Sequence, residues 1–469
     1  MIKFGTDGWR AIISDEFTFE NVRTVAQAYC NYLTKNNLHT KGIAVGYDNR
    51  FESEDFALES AKVAASNNIK VYLTDVPVPS PVTSFLVKNK ALGGGIMITA
   101  SHNPPQWNGF KIKSQFACSA SSDITKAVEA EVSKVIHPVN TSANPSLIAK
   151  INAKDEYFRH ISKFVDFSVI KQANINIVID PMHGSAAGYV KEILSNNGIR
   201  CTEINETRDP LFGGVNPEPI PINLSELSDL VKDSSLNKPG LWVGLATDGD
   251  GDRLGGVDGR GGFLTSHDMF VLLLKHLVEN KKLSGSVIKT FNITNLVGML
   301  ADKYKLTIRE TPIGFKYIAD YMLKEDVLIG GEESGGIGIK GHIPERDGVL
   351  NSLLLLECIA FYKKDARDIL DQVMDEFGYF YYDRIDIHLT EEQRDNVKKK
   401  LEAYRPDKFI GENVKEIKGM DGTKIFLEDK SWILFRLSGT EPLIRIYSEA
   451  TSPEKVKRML SEGEISILG

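Results

Sequence analysis

Three aspartates alternate with glycine in one short segment of the chain. Asp248, Asp250 and Asp252 lie in the sequence ATDGDGDR, directly after the apolar stretch LWVGLA, which is typical of a buried strand. Alternate residues of an extended segment project to one side, and glycine lets the backbone curl, so the three carboxylates can converge. Clustered carboxylates repel one another without a cation, and ligation by oxygen alone favours Mg²⁺, Mn²⁺ or Ca²⁺ over zinc. The segment therefore predicts a divalent-metal site.

The sequence allows two other interpretations of this acidic segment. An EF-hand also begins with alternating acidic residues, but it needs glycine at its sixth position and glutamate at its twelfth. The chain has Arg253 and Gly259 there, which argues against an EF-hand. A solvated acidic turn is the second alternative. The metal site is favoured over it because Arg253, beside the cluster, is suited to a phosphate that bridges to the metal.

A serine stands in a loop that regular secondary structure does not explain. Ser101 lies directly before His102 in the segment TASHNPPQWNGFK, where Pro104 and Pro105 exclude a regular helix. Serine, asparagine, proline and glycine are also the ordinary residues of surface turns. Taken alone, the segment favours such a turn, and a reactive serine is indicated only if other loops complete a site.

A third segment, GGEESGGIGIKGH, combines acids, a hydroxyl and several glycines. Its Glu332 and Ser334 are suited to bind neighbouring hydroxyls of a sugar, with a hinge loop bearing exposed acids as an equal alternative. Its glycines also match the GxGxxG spacing of a dinucleotide site, which must open a helix. Here Pro344 interrupts the chain before a helix that we expect to begin near Gly348, so a dinucleotide site is disfavoured.

A fourth segment, FRLSGTEPLIRIYSEA, holds groups that can bind a phosphate without metal. One short turn offers a guanidinium, two hydroxyls and a permissive backbone, and a second guanidinium follows one strand length later. The residues concerned are Arg436, Ser438, Gly439, Thr440 and Arg445. A structural turn with an ion pair to Glu441 is the alternative.

Length and composition restrict the class of protein. The 469 residues predict three or four domains, and 42% hydrophobic with 25% charged residues is typical of a globular protein. A net charge of −7 argues against nucleic acid or an anionic membrane as the main partner. The sequence has no signal-peptide pattern and no apolar run of the ~20 residues that a membrane span needs. The four cysteines form no CxxC pair, so we expect reduced thiols and a cytoplasmic protein.

The elements that must position these loops repeat along the chain. A short apolar strand, a helix and a second strand recur three times, beginning at GIAVGYD, INIVIDPMHG and GSVIKTFNIT. This recurrence predicts three related α/β domains with mixed sheets, and ligands tend to bind at the carboxyl ends of such strands. The later residues, rich in Tyr, Phe and Ile, predict a small α+β domain. The expected domains are residues 1–142, 143–247, 248–365 and 366–469.

Taken together, the four loops resemble one family. The segments FGTDGWR, TASHNP, ATDGDGDR, GEESGG and RLSGTEP occur in the order found in the α-D-phosphohexomutase superfamily of phosphoglucomutases and phosphomannomutases, over nearly the whole chain. The resemblance implies four domains around a central cleft, the first three sharing one α/β topology and the last flexibly attached. It also implies a hexose phosphate as substrate, Mg²⁺ as cofactor and glucose 1,6-bisphosphate as intermediate and activator. We expect a monomer or a homodimer.

The resemblance assigns roles to the residues of the four loops. Ser101 would carry a phosphoryl group in the resting enzyme, and this phosphate would bind Mg²⁺ together with the three aspartates of ATDGDGDR. Glu332 and Ser334 would hold the sugar O3 and O4, while the loop from Arg436 to Thr440, with Arg445, would hold the non-reacting phosphate.

Basic residues at motif positions would complete this site. Phosphoryl transfer needs chiefly positioning and charge stabilisation. Arg10, Lys111 and Arg253 can balance the excess negative charge. His102, Lys111 and Lys289 are candidates for proton transfer or charge stabilisation.

One departure from the family pattern bears on the sugar. Bifunctional mannose and glucose enzymes have a GH pair where this chain reads GFKYI, so Phe315 replaces a histidine, and Gly314 and Lys316 beside it are candidates for substrate binding. GFKY with GEESGG resembles the glucomutases, whereas glucosamine mutases usually read GEQSGH. We therefore expect interconversion of glucose 1-phosphate and glucose 6-phosphate. A mannose, bifunctional or amino-sugar mutase is the first alternative, and a sugar phosphatase is the second.

Overall fold

Four sheets follow one another along the chain in the computed structural model, which describes residues 2–5, 7–438 and 442–469. Each sheet is built from consecutive strands, so the four units are contiguous in sequence. The first three sheets mix parallel and antiparallel pairs, and the fourth is antiparallel throughout. The predicted fold class, three α/β units followed by an α+β unit, is confirmed.

The first unit places the serine loop between two neighbouring strands of its sheet. Its strands are β1 Trp9–Ile12, β2 Ile43–Tyr47, β3 Val71–Thr74, β4 Gly94–Ile98, β5 Trp107–Ser114 and β6 Ile148–Ile151. Its helices are α1 Phe19–Lys35, α2 Ser53–Ser66, α3 Ser80–Asn89 and α4 Ser122–Val132. The strand order is β1-β5-β4-β2-β3-β6. Because β4 runs parallel to β2 and antiparallel to β5, the loop that joins β4 to β5 lies at the carboxyl edge of the parallel strands.

The second unit places the acidic loop at the corresponding edge of its own sheet. Its helices are α5 Lys154–Ile161, α6 Phe167–Ala173, α7 Tyr189–Asn196 and α8 Ser225–Asn237. Its strands are β7 Asn176–Asp180, β8 Thr202–Glu203, β9 Trp242–Thr247, β10 Leu254–Val257 and β11 Phe263–Leu264, in the order β11-β10-β9-β7-β8. All residues of β9 after its first are buried, as its apolar sequence predicts, and the acidic loop joins β9 to β10.

The third unit supplies the sugar-loop candidate and the most apolar helix. Its strands are β12 Ser286–Thr290, β13 Ile308–Thr311, β14 Val327–Gly331 and β15 Ile337–Ile339, in the order β13-β12-β14-β15. Its helices are α9 Ser266–Glu279, α10 Asn295–Lys303, α11 Phe315–Lys324, α12 Gly348–Tyr362 and α13 Ala366–Phe377. Helix α12 contacts α6 of the second unit and α9 of the third, which explains why it is apolar on all sides. No helix in the described ranges, α12 included, has the length and hydropathy of a membrane span.

The fourth unit is a single antiparallel sheet with two helices. Its strands are β16 Tyr381–His388, β17 Lys408–Phe409, β18 Glu412–Lys418, β19 Thr423–Leu427, β20 Trp432–Leu437 and β21 Leu443–Ala450. Its helices are α14 Glu391–Ala403 and α15 Pro453–Leu468, and the strand order is β16-β21-β20-β19-β18-β17. A buried apolar cluster of Phe291, Trp432, Leu434 and Tyr447 joins this unit to the third.

The sheets run past two of the predicted domain boundaries. Strand β6 follows residue 142 but pairs with β3 of the first sheet. Strands β10 and β11 follow residue 247 but belong to the second sheet. Neither short segment has a strong sequence signal, and their membership depends on pairing with distant strands. The division of the chain into domains remains a prediction.

Candidate active site

The three aspartates of the acidic loop converge as their spacing predicts. Asp248, Asp250 and Asp252 are fully buried, and one carboxylate oxygen from each lies within 4.8 Å of the others. A Cβ atom at Gly249 would lie 2.5 Å from the carbonyl oxygen of Ser101, so only glycine lets the acidic loop approach the serine loop this closely.

The donor set fits a divalent metal. Buried oxygens Oδ1 of Asp250 and Oδ1 of Asp252 have no hydrogen-bond partner among the described residues, and leaving buried carboxylate oxygens unpaired is costly. A cation that takes oxygen ligands would satisfy both atoms.

Ser101 lies against this cluster. The serine is buried, with a left-handed φ of 53°, and its hydroxyl donates to Oδ2 of Asp248 at 2.8 Å. A non-glycine residue in this region of φ is uncommon and strained, so the surrounding contacts must hold the loop in place. The structure thus brings the candidate serine and the candidate metal ligands together across the first and second units.

Arg50 is the residue that holds the serine loop. Its guanidinium donates to four loop carbonyls at 2.7 to 2.9 Å, those of Ser101, Asn103, Pro104 and Trp107. Arg50 is itself fully buried and pairs with buried Asp48 at 3.2 Å. The loop is therefore fixed by a buried ion pair rather than by regular secondary structure.

Lys111 supplies positive charge directly to the aspartates. It lies on β5, is fully buried, and its Nζ is 2.8 Å from Asp250, 3.0 Å from Asp7 and 3.6 Å from Asp252. Burial alone would lower the pKa of Lys111, but these carboxylates, with Asp250 the strongest, outweigh it and raise the pKa. Lys111 is therefore a permanent cation.

The pKa values of Asp248 and Asp250 shift in opposite directions. Burial opposes ionisation of Asp250, but Lys111, together with the hydroxyl of Ser80 at 2.5 Å, lowers the pKa of this carboxyl below its usual range. Burial, then the charges of Asp250 and Asp252, raise the pKa of Asp248 well above its usual range. The basic neighbours therefore do not fully compensate three ionised carboxylates, and a bound cation would favour the ionised form of Asp248.

Two predicted basic residues flank the serine. His102 Nδ1 lies 3.4 Å from the hydroxyl oxygen of Ser101, and burial, followed by the charges of Arg253 and Arg10, holds the pKa of His102 well below its usual range. The imidazole is therefore neutral. Arg10 donates to the side chain of Asn103 in the serine loop at 2.5 Å.

Arg253 is placed for an anion. Its side chain is mostly buried and its Nη1 is 3.5 Å from Glu218, while its Nε has no hydrogen-bond partner among the described residues. This Nε lies 3.8 Å from Asp248 and 3.9 Å from Asp252 without a hydrogen bond to either, so the guanidinium borders the acidic cluster and can still donate to a phosphate oxygen.

The sugar-loop candidate lies beside the acidic loop. The loop joins β14 to β15, and the amide of Leu254 donates to the carbonyl of Gly335 at 3.1 Å. Glu332 is buried and accepts from Arg346 at 3.4 Å, and burial raises the pKa of Glu332. Ser334 follows on the same loop and is half-buried. The GxGxxG glycines lie before β15, on this strand and in the turn after it. They do not begin a helix, as a dinucleotide site requires.

The phosphate-loop candidate is built on two adjacent strands. Arg436 on β20 and Arg445 on β21 are direct cross-strand partners. The Nε of Arg436 pairs with Asp421 at 3.1 Å, and the Nε of Arg445 pairs with Asp386 at 3.3 Å. Ser438 is buried directly after β20, and its amide donates to the carbonyl of Leu443. Gly439 and Thr440 lie outside the described residues.

Three predicted residues make their contacts away from the aspartates. Lys289, on β12, is buried and pairs with Glu310 at 3.0 Å. Lys316, at the start of α11, donates to the hydroxyl of Ser122 in the first unit at 2.7 Å. Gly314 forms the N-terminal cap of α11. Their roles in the reaction remain predictions.

Sequence reasoning missed four residues that assemble the site. Arg346 contacts Asp252 at 2.6 Å and Asp7 at 3.3 Å, which links the third unit to the second and to the N-terminal segment. Arg50 and Ser80 complete this set. Asp7 lies in FGTDGWR and could have been found from that motif. Ser80 begins helix α3, while Arg50 and Arg346 lie in loops, and none of the three belongs to a motif of its own.

Matches to known proteins cover the same four units. Models of phosphoglucomutase/phosphomannomutase alpha/beta/alpha domains I, II and III match residues 1–137, 155–261 and 265–377, and the model of the C-terminal domain matches residues 396–462.

Individual relatives match this chain over nearly its whole length. A phosphoglucomutase/phosphomannomutase of Thermococcus kodakarensis is 28% identical over 98% of this chain and 97% of its own length. A phosphoglucosamine/phosphogalactosamine mutase of Sulfurisphaera tokodaii is 30% identical over 98% of this chain and 97% of its own. A crystal structure from Thermus thermophilus, provisionally described as a phosphomannomutase, is 34% identical, covers 100% of this chain and 99% of its own, and has a TM-score of 0.86. The chain belongs to the phosphoglucomutase/phosphomannomutase family and is a phosphohexomutase.

Proposed function

We propose that this phosphohexomutase interconverts glucose 1-phosphate and glucose 6-phosphate, with Ser101 as the phosphoryl carrier and glucose 1,6-bisphosphate as the intermediate. One observation carries the proposal. The hydroxyl of Ser101 lies 2.8 Å from Asp248, in a buried cluster of oxygen ligands that also includes Asp250 and Asp252. Binding of a sugar phosphate alone would need neither the serine nor the cluster.

The cluster and the serine phosphate together would hold Mg²⁺. When bound, this ion supplies positive charge to the oxygens of the phosphoryl group in transfer. The unpaired oxygens of Asp250 and Asp252 support this assignment. Lys111 and Arg346 already neutralise part of the cluster, so the site would hold one divalent cation and one phosphate without a large excess of either charge.

The reaction takes place in two half-steps. In the first, the bond between phosphorus and Oγ of phosphorylated Ser101 breaks, and a bond forms to the free C6 hydroxyl oxygen of glucose 1-phosphate, giving the 1,6-bisphosphate. The C6 hydroxyl loses its proton, and Oγ of Ser101 takes one up. In the second, the C1 phosphoryl group returns to Oγ of Ser101 and leaves glucose 6-phosphate. The enzyme ends as it began, so no net phosphate is consumed.

The imidazole of His102 is placed to exchange a proton with Oγ of Ser101, which is 3.4 Å from its Nδ1. It would supply a proton to Oγ when the phosphoryl group leaves Ser101 in the first half-step, and accept one when the Ser101 hydroxyl attacks in the second. Lys111, which stays protonated, stabilises charge instead of moving protons.

The remaining loops would hold the sugar in both orientations. Glu332 and Ser334 supply acceptors for neighbouring hydroxyls, and Arg436 with Arg445 supplies guanidinium groups for the phosphate that does not react. Because the bisphosphate must turn around between the half-steps, these groups must bind the sugar equally well in either orientation.

An amino-sugar substrate is the second candidate. The relative from Sulfurisphaera tokodaii is named as a phosphoglucosamine/phosphogalactosamine mutase and matches this chain over almost its whole length. Glucose is favoured by the sequences GFKY and GEESGG. Glucose, mannose and glucosamine differ at C2, which contacts to O3 and O4 do not test.

A panel of sugar 1-phosphates tests both the proposed substrate and the proposed role of Ser101. Wild type, Ser101→Ala and the control Ser146→Ala, an exposed serine before β6, are assayed with Mg²⁺ and trace hexose 1,6-bisphosphate on the 1-phosphates of glucose, mannose, glucosamine and N-acetylglucosamine. We expect glucose 1-phosphate to react fastest, and only Ser101→Ala to lose activity. Faster turnover of glucosamine 1-phosphate would overturn the substrate, net phosphate release would indicate a phosphatase, and activity retained by Ser101→Ala would overturn the mechanism.

A further inference from the structure

Asp421 joins the phosphate-loop candidate to the segment before α11. Its Oδ2 accepts a hydrogen bond from the Nε of Arg436 at 3.1 Å and from the backbone amide of Ile313 at 2.8 Å. Arg436 belongs to the fourth unit and Ile313 to the third. One carboxylate oxygen therefore bridges the two units at the residue that directly precedes Gly314.

A tight turn fixes the position of Asp421. The residue lies between β18 and β19, and Gly422 after it has a φ of 102°. A Cβ atom at Gly422 would lie 2.2 Å from the carbonyl oxygen of Phe435, so only glycine lets the turn pack against β20. This close approach presents the carboxylate of Asp421 to the side chain of Arg436.

An ordinary turn aspartate would look different. Aspartate in a turn usually accepts from the backbone two residues later in its own turn, as Asp429 does from Ser431 at 3.0 Å in the next hairpin. The partners of Asp421 instead lie 15 and 108 residues away along the chain. The hydrogen bonds of Asp421 therefore hold two separate segments of the chain next to each other.

The segment of Ile313 is itself anchored at the junction of the two units. The side chain of Ile313 packs against the buried cluster of Phe291, Trp432, Leu434 and Tyr447. The carboxylate adds a directional contact to this apolar one. As a result, the position of Arg436 is tied to the backbone that leads into Gly314 and Lys316.

We propose that Asp421 is a positioning residue that orients the Arg436 guanidinium for the non-reacting phosphate and couples that phosphate site to the loop at Gly314. This inference rests on the proposed function, which assigns phosphate binding to Arg436. The guanidinium is planar with five N–H donors. Holding its Nε–H fixes the plane of the group, which lowers the conformational cost of meeting a phosphate.

Binding measurements test the inference without relying on turnover. Glucose 6-phosphate and inorganic phosphate are titrated calorimetrically into the Ser101→Ala protein carrying Asp421→Ala, Asp421→Asn, Arg436→Ala or the double change Asp421→Ala with Arg436→Ala. The matched control is Asp429→Asn, because Asp429 is a turn aspartate of the same unit that pairs with Lys455. Melting temperatures are recorded for every variant.

We expect Asp421→Ala to weaken glucose 6-phosphate binding about tenfold, the loss typical of one hydrogen bond to a charged group. Asp421→Asn, which keeps an acceptor but loses the charge, should weaken it about threefold. Asp429→Asn should leave binding unchanged. In the Arg436→Ala protein, Asp421→Ala should cause no further loss, because the residue acts through that guanidinium.

Several results would overturn the inference. Unchanged affinity in Asp421→Ala, an equal loss in the control, or a full additional loss in the Arg436→Ala protein would each show that Asp421 serves only the fold. If Asp421→Ala does not fold, the isosteric Asp421→Asn decides. Mutase activity retained by Ser101→Ala would refute the proposed function alone, and inorganic phosphate tests the Arg436 site whichever sugar is the substrate.

Discussion

The close approach of the acidic loop to the serine loop predicts a large effect of a single methyl group. In Gly249→Ala, the new Cβ would lie 2.5 Å from the carbonyl oxygen of Ser101 and 3.0 Å from Cγ of Pro217. The carbonyl oxygen cannot simply move away, because it accepts from Arg50 at 2.7 Å. Reaching an ordinary contact distance requires a displacement of about 0.9 Å between the two loops.

That displacement separates Ser101 from Asp248, which are now 2.8 Å apart. A misplacement of about 1 Å between reacting groups can cost about 100-fold in rate, so we expect kcat of Gly249→Ala to fall by about that factor. Overpacking should also destabilise the fold by about 1 to 3 kcal/mol. Mutase turnover is measured together with the melting temperature.

Gly298→Ala is the control for this prediction. Gly298 lies on helix α10, and its new Cβ would contact only Cδ1 of Ile308, at 3.7 Å. Replacing a glycine inside a helix by alanine should stabilise the fold by about 0.5 to 1 kcal/mol. Its turnover should equal that of wild type. Turnover of Gly249→Ala within about threefold of wild type would refute the view that the distance between these two loops limits the reaction.

Two further predictions concern buried charge. Arg50→Met should destabilise the protein by about 3 to 5 kcal/mol because it leaves Asp48 buried without its cationic partner. A melting temperature equal to that of wild type would contradict this. Burial, followed by the charges of Lys289 and Lys424, lowers the pKa of His267 to about 3, below the unfolded value of about 6.5. The unfolded chain therefore binds more protons between these values, and stability should be complete above pH 6.5 and fall as the pH drops, by about 2 kcal/mol at pH 5. The melting temperature of wild type should therefore fall more steeply with decreasing pH than that of His267→Gln, and parallel curves would contradict the assignment.

Local sequence was sufficient to predict those parts of the site that a single segment of the chain forms. The alternation of aspartate and glycine after an apolar strand predicted the convergence of Asp248, Asp250 and Asp252, because the strand and its loop fix that geometry within a few residues. The recurring strand, helix and strand order predicted the first three units, since each follows from the periodicity of its own residues.

Contacts between distant segments were beyond sequence reasoning. Arg346 and Asp7 are 339 residues apart and meet only because the third unit packs against the first. Arg50 follows strand β2, where nothing in its neighbours indicates that it will hold a loop between β4 and β5. Strand β6 belongs to the first sheet through pairing with β3, which a short, partly exposed segment does not indicate. In each case the determining interaction depends on tertiary packing.

The most direct test of the account is whether Ser101 carries the phosphoryl group. Dephosphorylated protein is incubated with glucose 1,6-bisphosphate and Mg²⁺, digested, and analysed by mass spectrometry of the peptide that contains Ser101, with Ser101→Ala treated in parallel. The account predicts one phosphoryl group on Ser101 of the wild-type protein, and its loss when glucose 6-phosphate is added in excess. A protein that interconverts the hexose phosphates while Ser101 stays unmodified would contradict it.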